Sequence, residues 1–481
     1  MGTLTNRMTN QETVDQKEGR RKMIFLFLAM LGIYTANFRI MEILDPVTTT
    51  YLPVSILSEG NFELSEFKSL IREKVLVEVN GNLYSIYPVF SSVLVTPIYF
   101  VPFILGAFDP IYEFPQSDDI AKKVWFIPYL GKFAASILAA LSVLIFFSIM
   151  KIKFPDRNAM KYAICFGLGT SVWSISSQAL FQHPANQVFL LLSVYFLVIK
   201  KNLRLYTSLA GLSLALAVLA RPFSVLFLLV ITIYVLIDRR KYFTYLLGGI
   251  ILPTFFLLMY NFTHFGSIFE TGYGDEAYQW TGNVFEGLVG SLISPGRGLF
   301  IFTPFLIFGF IGMFKFIKNN VKDGLMIAVG IGIIVHLLAI TKWHGWHGGG
   351  SWSYRLILDV IPFIMLFIPY YEFSFSKTKK RIFKILVIYS IFIQFLGAST
   401  FVSRRMDVWD WRLSSIVWCL NETRPKLFTI VYDSGLVKRS DDGSVINRFV
   451  HSVNYSLQGF YRLISPFPRY DWDENKGDET D

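Results

Sequence analysis

The chain has 481 residues, 53% of them hydrophobic and 17% aromatic, including 47 phenylalanines, and its mean hydropathy is +0.46. That balance excludes an ordinary soluble domain and reads as an all-α polytopic membrane protein. The net charge of +10 would suit a nucleic-acid binder, but in so apolar a chain it reads as basic loops gathered on one side of a membrane, with no nucleic-acid partner.

In chain order, residues 1–22 form a polar cytoplasmic tail, and the apolar run from Met23 lacks a small-residue cleavage site. It is therefore a retained first helix and not a removed signal peptide. Apolar segments at about 23–41, 129–150, 162–181, 185–199, 206–220, 223–237, 243–261, 298–314, 324–341, 356–373 and 385–402 make about eleven transmembrane helices within a domain spanning 23–402. A twelfth apolar stretch, 88–108, is interrupted by Pro88, Pro97 and Pro102.

Basic residues decide whether that stretch crosses. If it does not, the connections 151–161, 200–205, 238–242, 315–323 and 374–384 share one side and carry eighteen Lys and Arg, against four (Arg221, Arg297, Lys342, Arg355) in the short connections opposite. If it does, the bias reverses. The stretch 88–108 is thus expected to lie on the outer surface as an interfacial helix. The N-terminus is then inside and the C-terminus outside. Two large external loops follow, 42–128 with its interfacial helices and 262–297, and 403–481 is an external tail or small cap. Cys165 and Cys419 fall on opposite faces, so no disulfide framework is expected.

With this topology the unusual polar residues gather outside. Glu42 and Asp45 follow the first helix, and Asp45 is followed by Pro46 and three threonines. Such a pattern caps a surface helix as readily as it supplies a general base. His183 precedes Pro184 at an outer turn, and Arg221 (LARPF) sits at another. A histidine there can simply cap, and an arginine can snorkel to headgroups. SPGRGLF sets Arg297 between Gly296 and Gly298, which allow close approach to an anion.

The densest loop is KWHGWHGGGSWSYR, Lys342 to Arg355. An interfacial belt accounts for some of its tryptophans but not for Gly348, Gly349 and Gly350, nor for Arg355 with Asp359 a helical turn on. The glycines let the backbone approach a phosphate, Arg355 supplies charge, and the tryptophans line a lipid or sugar. His344 and His347 are candidate metal ligands, but their spacing matches no established zinc pattern, so a divalent metal is possible and not favoured. Tyr51, Tyr87, Trp346 and Tyr354 join Glu42, His344 and His347 as candidate pocket residues.

A carboxylate just after the first span, a proline-rich interfacial segment (YSIYPVFSSVLVTPIYF) and an external C-terminal region together resemble the GT-C superfamily of membrane glycosyltransferases. The likeness is to its protein O-mannosyltransferase and lipid A aminoarabinose transferase branch. DPVTTTYLPVSILSEGNFEL, LYSIYPV, LFQHPANQ, LARP, SPGRGLF and WHGGGSWSYRLILDVIPF look like signature blocks of a dolichyl-phosphate-mannose-protein-mannosyltransferase-like bacterial subset, over about 40–400. This resemblance implies a GT-C fold, a polyprenyl-phosphate sugar donor, and an external lipid, glycan or protein acceptor at a bacterial inner membrane. By position it puts the acceptor-activating acid at Asp45. The protein-transferring pattern opens with adjacent Asp-Glu, whereas Glu42 and Asp45 are separated, and no β-trefoil is inserted; both departures weaken a protein acceptor.

The chemistry fits the residues independently. Sugar transfer passes through an oxocarbenium-like state and needs a base for the nucleophile and cations for the departing phosphate. Asp45 suits the first task; Arg355, Arg297, Arg221 and His183 are candidates for the second. Displacement in one step inverts the anomeric carbon. The alternatives are a transporter or lipid-linked-sugar flippase and a polysaccharide polymerase. A transporter would place ionisable groups near the midplane, where His336 is nearly alone, and would show related halves.

Overall fold

The computed structural model describes residues 2–37, 39–41, 43–113, 124–155, 157–319, 322–372, 375–401 and 414–416, with 2–17 and 113 described by backbone alone. Glu42, Cys419 and the expected external tail, apart from 414–416, lie outside the described residues. The principal helices are α1 Gly2–Thr35, α2 Asp45–Ser58, α3 Phe90–Ile104, α4 Ile127–Lys153, α5 Ala159–Gly169, α6 Gln182–Val198, α7 Leu203–Ala220, α8 Val225–Asp238, α9 Phe243–Phe265, α10 Val284–Ile293, α11 Ile307–Lys318, α12 Gly324–Lys342 and α13 Lys377–Thr400.

Helical structure occupies each of the eleven apolar segments. Among the described residues, five stretches are long and apolar enough to cross a membrane: α4, α7, Arg240–Phe265 (which contains α9), α12 and α13. The 15-residue α3 is about 22 Å long, short of a hydrocarbon core of about 30 Å. The outer face of α9 leaves Ile251, Leu252, Phe255 and Phe256 exposed, as a lipid-facing surface does.

Three of the expected spans are broken. The segment 162–181 ends its helix at Gly169 and passes into a π-type turn at Val172–Ser176. There Thr170 Oγ1 and Ser177 Oγ donate to the Phe166 and Trp173 carbonyls, both at 2.6 Å, and such hydroxyls compete with helix geometry. The segment 298–314 breaks at Thr303-Pro304 before α11 begins. The segment 356–373 divides into the 3-10 turn Arg355–Val360 and the short helices Ile361–Leu366 and Ile368–Glu372, with Pro362 and Pro369 near their starts.

These interruptions meet inside the protein, where their polar groups find one another. Ser171 Oγ and Ser353 Oγ are 2.5 Å apart, as are Thr303 Oγ1 and the Tyr354 hydroxyl. Gln394 of α13 donates to the Phe302 carbonyl at 3.3 Å.

The chain is mostly helical, as expected, with one exception to an all-α reading. Leu76–Val79 (β1) and Asn82–Ser85 (β2) form an antiparallel hairpin with Leu76 opposite Ser85 and Val79 opposite Asn82. Its two-residue turn is Asn80-Gly81, with φ of 54° and 85°, the left-handed pair that Asn-Gly favours.

The hairpin anchors α2. Ser85 Oγ donates to Thr48 Oγ1 at 2.8 Å, and Ser92 Oγ of α3 donates to the Thr49 carbonyl at 2.9 Å. Thr50 lies so close to Gly131 of α4 that a Cβ there would clash. The three threonines after Asp45 are therefore buried ties that fix the start of α2 against three neighbours.

The bundle has two chemically different ends. Lys153 at the end of α4 pairs with Asp323 at the start of α12, and Lys161 pairs with Glu372. The opposite end carries the connections that hold Asp45, His183, Arg221, Arg297 and Arg355.

Helices α7 and α9 touch through glycine. A side chain at Gly211 would run into the Leu246 carbonyl, and one at Gly249 into the Ser208 carbonyl, which is the close approach that small residues permit between helices. Gly249→Val is expected to force these helices apart at a cost of about 1–3 kcal/mol. Thermal unfolding in detergent should show a clear loss, and an unchanged melting temperature would contradict this packing.

Candidate functional site

Asp45 is the first residue of α2, followed by Pro46, so its carboxylate sits at a helix N-terminus where negative charge is favoured. Its partner comes from the far end of the chain: Arg355 Nη1 forms an ion pair with Asp45 Oδ2. Tyr87 lies beside the same carboxylate, and burial first, then the Asp45 charge, push the Tyr87 phenol well above its usual range. Tyr87 consequently keeps its proton at physiological pH.

The second large loop closes over this pair. Gly272 lies against the backbone of Ser85 and Ile86, where any Cβ would collide, and this contact sets the Tyr273 ring 5.8 Å from Tyr87, edge to face. Gln182 Nε2 donates to the Tyr273 hydroxyl at 2.8 Å. Burial pushes the Tyr273 phenol up to about 12, and Arg221, Asp45 and Arg355 all lie within its field.

A second, buried pair stands behind the first. Pro222 holds Arg221 in extended backbone at the end of α7 (φ −151°, ψ 110°), and its Nη1 pairs with Asp359 Oδ2. Asp359 is wholly buried and Arg221 8% exposed. His183 Nδ1 is 3.1 Å from Asp359 Oδ1 and 3.3 Å from Arg221 Nη1. A guanidinium has only donors, so the Nδ1 proton is best placed toward the carboxylate. Gln187 Nε2 donates to the Leu358 carbonyl at 2.9 Å, tying α6 to the turn that carries Asp359.

Arg297 has another task. Its Nε donates to the His347 carbonyl at 2.9 Å, Nη1 to its neighbour Gly296 at 2.8 Å and Nη2 to Gly349 at 2.5 Å. It is 1% exposed. The guanidinium thus holds the glycine loop, in which Gly348 and Gly349 take φ of 72° and 62°, conformations open to glycine. Ser353 also has a positive φ, 49°.

The tryptophans of that loop mostly wedge. Trp346 is buried where a side chain at Gly290 of α10 would meet its ring, and Trp352 fills the space left by Gly397 of α13. Trp352 also packs edge-on against Phe302 at 5.1 Å. Trp343 and the exposed His344, rings 4.9 Å apart, remain toward the outside with Lys342.

Other expected pocket residues are redistributed. Tyr51 packs on Phe67 at 5.0 Å inside the core of the first loop. The Tyr354 hydroxyl belongs to the buried seam with Thr303 and Ser171. His347 Nδ1 accepts from the Gly349 N–H at 3.1 Å. Among the described residues, no three His, Cys, Asp or Glu side chains are grouped as metal ligands.

A small cavity remains, lined by Arg297, Trp346, His347, Tyr354 and Arg355 among others. His336, the histidine expected deep within a span, is a core residue. It is buried against Phe223, rings 5.0 Å apart, with Nε2 3.4 Å from the Leu356 carbonyl.

The structure therefore joins Asp45, Tyr87, His183, Arg221 and Arg355 and adds Asp359, Tyr273, Gln182 and Phe181, over whose ring the Arg355 guanidinium lies at 5.2 Å. Asp359 was visible in sequence only as a neighbour of Arg355. The signal that it pairs elsewhere is that it falls in a turn between apolar residues, where an acid needs a partner.

No family model matches the chain, and no curated protein matches it significantly. Among solved structures it is similar to the crystal structure of ArnT from Cupriavidus metallidurans bound to undecaprenyl phosphate. The identity is 13% and the TM-score 0.49, over 91% of this chain and 75% of that one.

Asp359→Asn should leave Arg221 charged, buried and without a counter-ion, a defect worth about 3–5 kcal/mol. Thermal unfolding is expected to shift down strongly, and a variant as stable as the parent would show that the pair does not hold this end together.

Proposed function

We propose that the chain is a membrane glycosyltransferase that moves a sugar from a polyprenyl-phosphate donor to a lipid, glycan or protein acceptor on the outer face of a bacterial inner membrane. The observation that carries this reading is the meeting of the Asp45 carboxylate with the Arg355 guanidinium, beside the Arg221–Asp359 pair, at the end of an apolar bundle that has few basic residues in its short connections.

The reaction requires a proton acceptor next to fixed positive charge. Asp45 takes the proton of the acceptor hydroxyl or amine as its oxygen or nitrogen attacks the anomeric carbon. The bond from that carbon to the phosphate oxygen breaks with its electron pair, and the phosphate gains one negative charge. Arg355 and Arg221 stand where such a charge is stabilised without reorganisation of solvent. Attack opposite the leaving phosphate inverts the anomeric configuration.

The remaining groups position these. Tyr87 stands beside the Asp45 carboxylate as a neutral neighbour, while His183 and Asp359 fix Arg221. Arg297 and His183, expected as phosphate ligands, are better placed as supports: the first holds the glycine loop from which Arg355 emerges, and the second braces the buried pair.

Asp45→Asn should lower sugar transfer from a labelled polyprenyl-phosphate sugar in membrane vesicles by about 10²–10⁴-fold, with protein abundance and melting temperature retained. Full transfer by this variant would remove Asp45 as the base.

A further inference from the structure

We propose that Arg355 serves the base and the departing phosphate at once, through different edges of its guanidinium, so that the proton on Asp45 sets how tightly the lipid phosphate is held. This rests on the glycosyl-transfer reading above and adds a coupling to it.

The three arginines expected as phosphate ligands differ in what they can still do. Among the described residues, Arg297 directs its Nε, Nη1 and Nη2 at loop carbonyls, and Arg221 is held by the buried Asp359. Arg355 is different. Its charged partner, Asp45, is 30% exposed at the side chain, and that pair uses Nη1. The Nε–H belongs to the edge turned away from Nη1; it is buried and has no hydrogen-bond partner among the described residues. A buried N–H without an acceptor is costly and uncommon. The plane of the group is set by the Phe181 ring beneath it. One edge is thus occupied by the base, while a second donor direction is desolvated and open to an anionic oxygen.

Charge accounting then links the two edges. Before reaction Asp45 is an anion and the donor, a phosphodiester, carries one negative charge, so the two compete for a single guanidinium. During transfer the acceptor proton goes to Asp45, which becomes neutral, as the carbon–oxygen bond breaks and the phosphate becomes a monoester with about one more negative charge. The attraction of Arg355 passes from one side to the other as the leaving group needs it, in a largely buried site where such a change is weakly screened. When Asp45 gives up its proton to solvent, Arg355 returns to it and the lipid phosphate is released.

The test is a double-mutant cycle on binding of undecaprenyl phosphate, measured with purified protein in nanodiscs. Asp45→Asn mimics the neutral base and is expected to bind the lipid roughly three- to tenfold more tightly than the parent, although transfer is lost. Arg355→Gln should bind more weakly, and adding Asp45→Asn to it should restore nothing. A gain from Asp45→Asn of equal size with and without Arg355 would show simple charge repulsion and overturn the coupling, as would no gain at all. Asp45→Ala, checked for an unchanged melting temperature, gives the same reading if the asparagine variant folds poorly. If the parent binds no undecaprenyl phosphate while its melting temperature is normal, the glycosyl-transfer reading falls, and the coupling with it.

Discussion

A guanidinium at the rim of an apolar bundle needs a counter-charge, and the need is most acute where water is absent. The Arg221–Asp359 pair meets this constraint with both members buried, and removing either one costs far more than the pair contributes. Much of the surrounding geometry follows. His183 leans on the same carboxylate, Gln187 ties the turn of Asp359 to α6, and Pro222 sets the backbone from which Arg221 departs. The less buried pair of Asp45 and Arg355, 30% and 11% exposed at their side chains, is then free to differ, because its neighbour already neutralises the deeper charge.

That contrast bears on chemistry. A buried, fully braced ion pair is a poor reagent, since neither partner can change its charge without a large penalty. A partly exposed pair at a helix start, with a tyrosine beside one partner and an aromatic ring beneath the other, can exchange a proton and accept an anion. On the glycosyl-transfer reading proposed above, the Asp45–Arg355 pair carries the proton transfer, Arg221 adds a fixed charge beside it, and the glycine loop held by Arg297 delivers Arg355 to the site.

Much of this was legible in the chain. The eleven apolar segments are helical, and the loops at one end carry Asp45, His183, Arg221 and Arg355 because proline, glycine and charge mark helix ends plainly. The breaks within three segments were harder to read, since hydropathy averages over Thr170 to Ser177 and over Thr303-Pro304. The Asn80-Gly81 turn announces its hairpin locally, but a strongly helical composition masks so short an element. Partner choice was least legible. Arg297, flanked by glycines, has the same local features as an anion site; only the fold shows that backbone carbonyls at residues 296, 347 and 349 occupy it. The same holds for Trp346 and Trp352, whose aromatic character suggested a ligand surface and which instead fill spaces left by Gly290 and Gly397.

The most direct test of the account is an experimental structure of the protein with undecaprenyl phosphate bound. The account predicts the phosphate against the Arg355 guanidinium on its Nε side, near Arg221, with Asp45 still within reach of Nη1 and the Arg221–Asp359 pair undisturbed. A phosphate seated away from Arg355, with that Nε–H still unpaired, would contradict it.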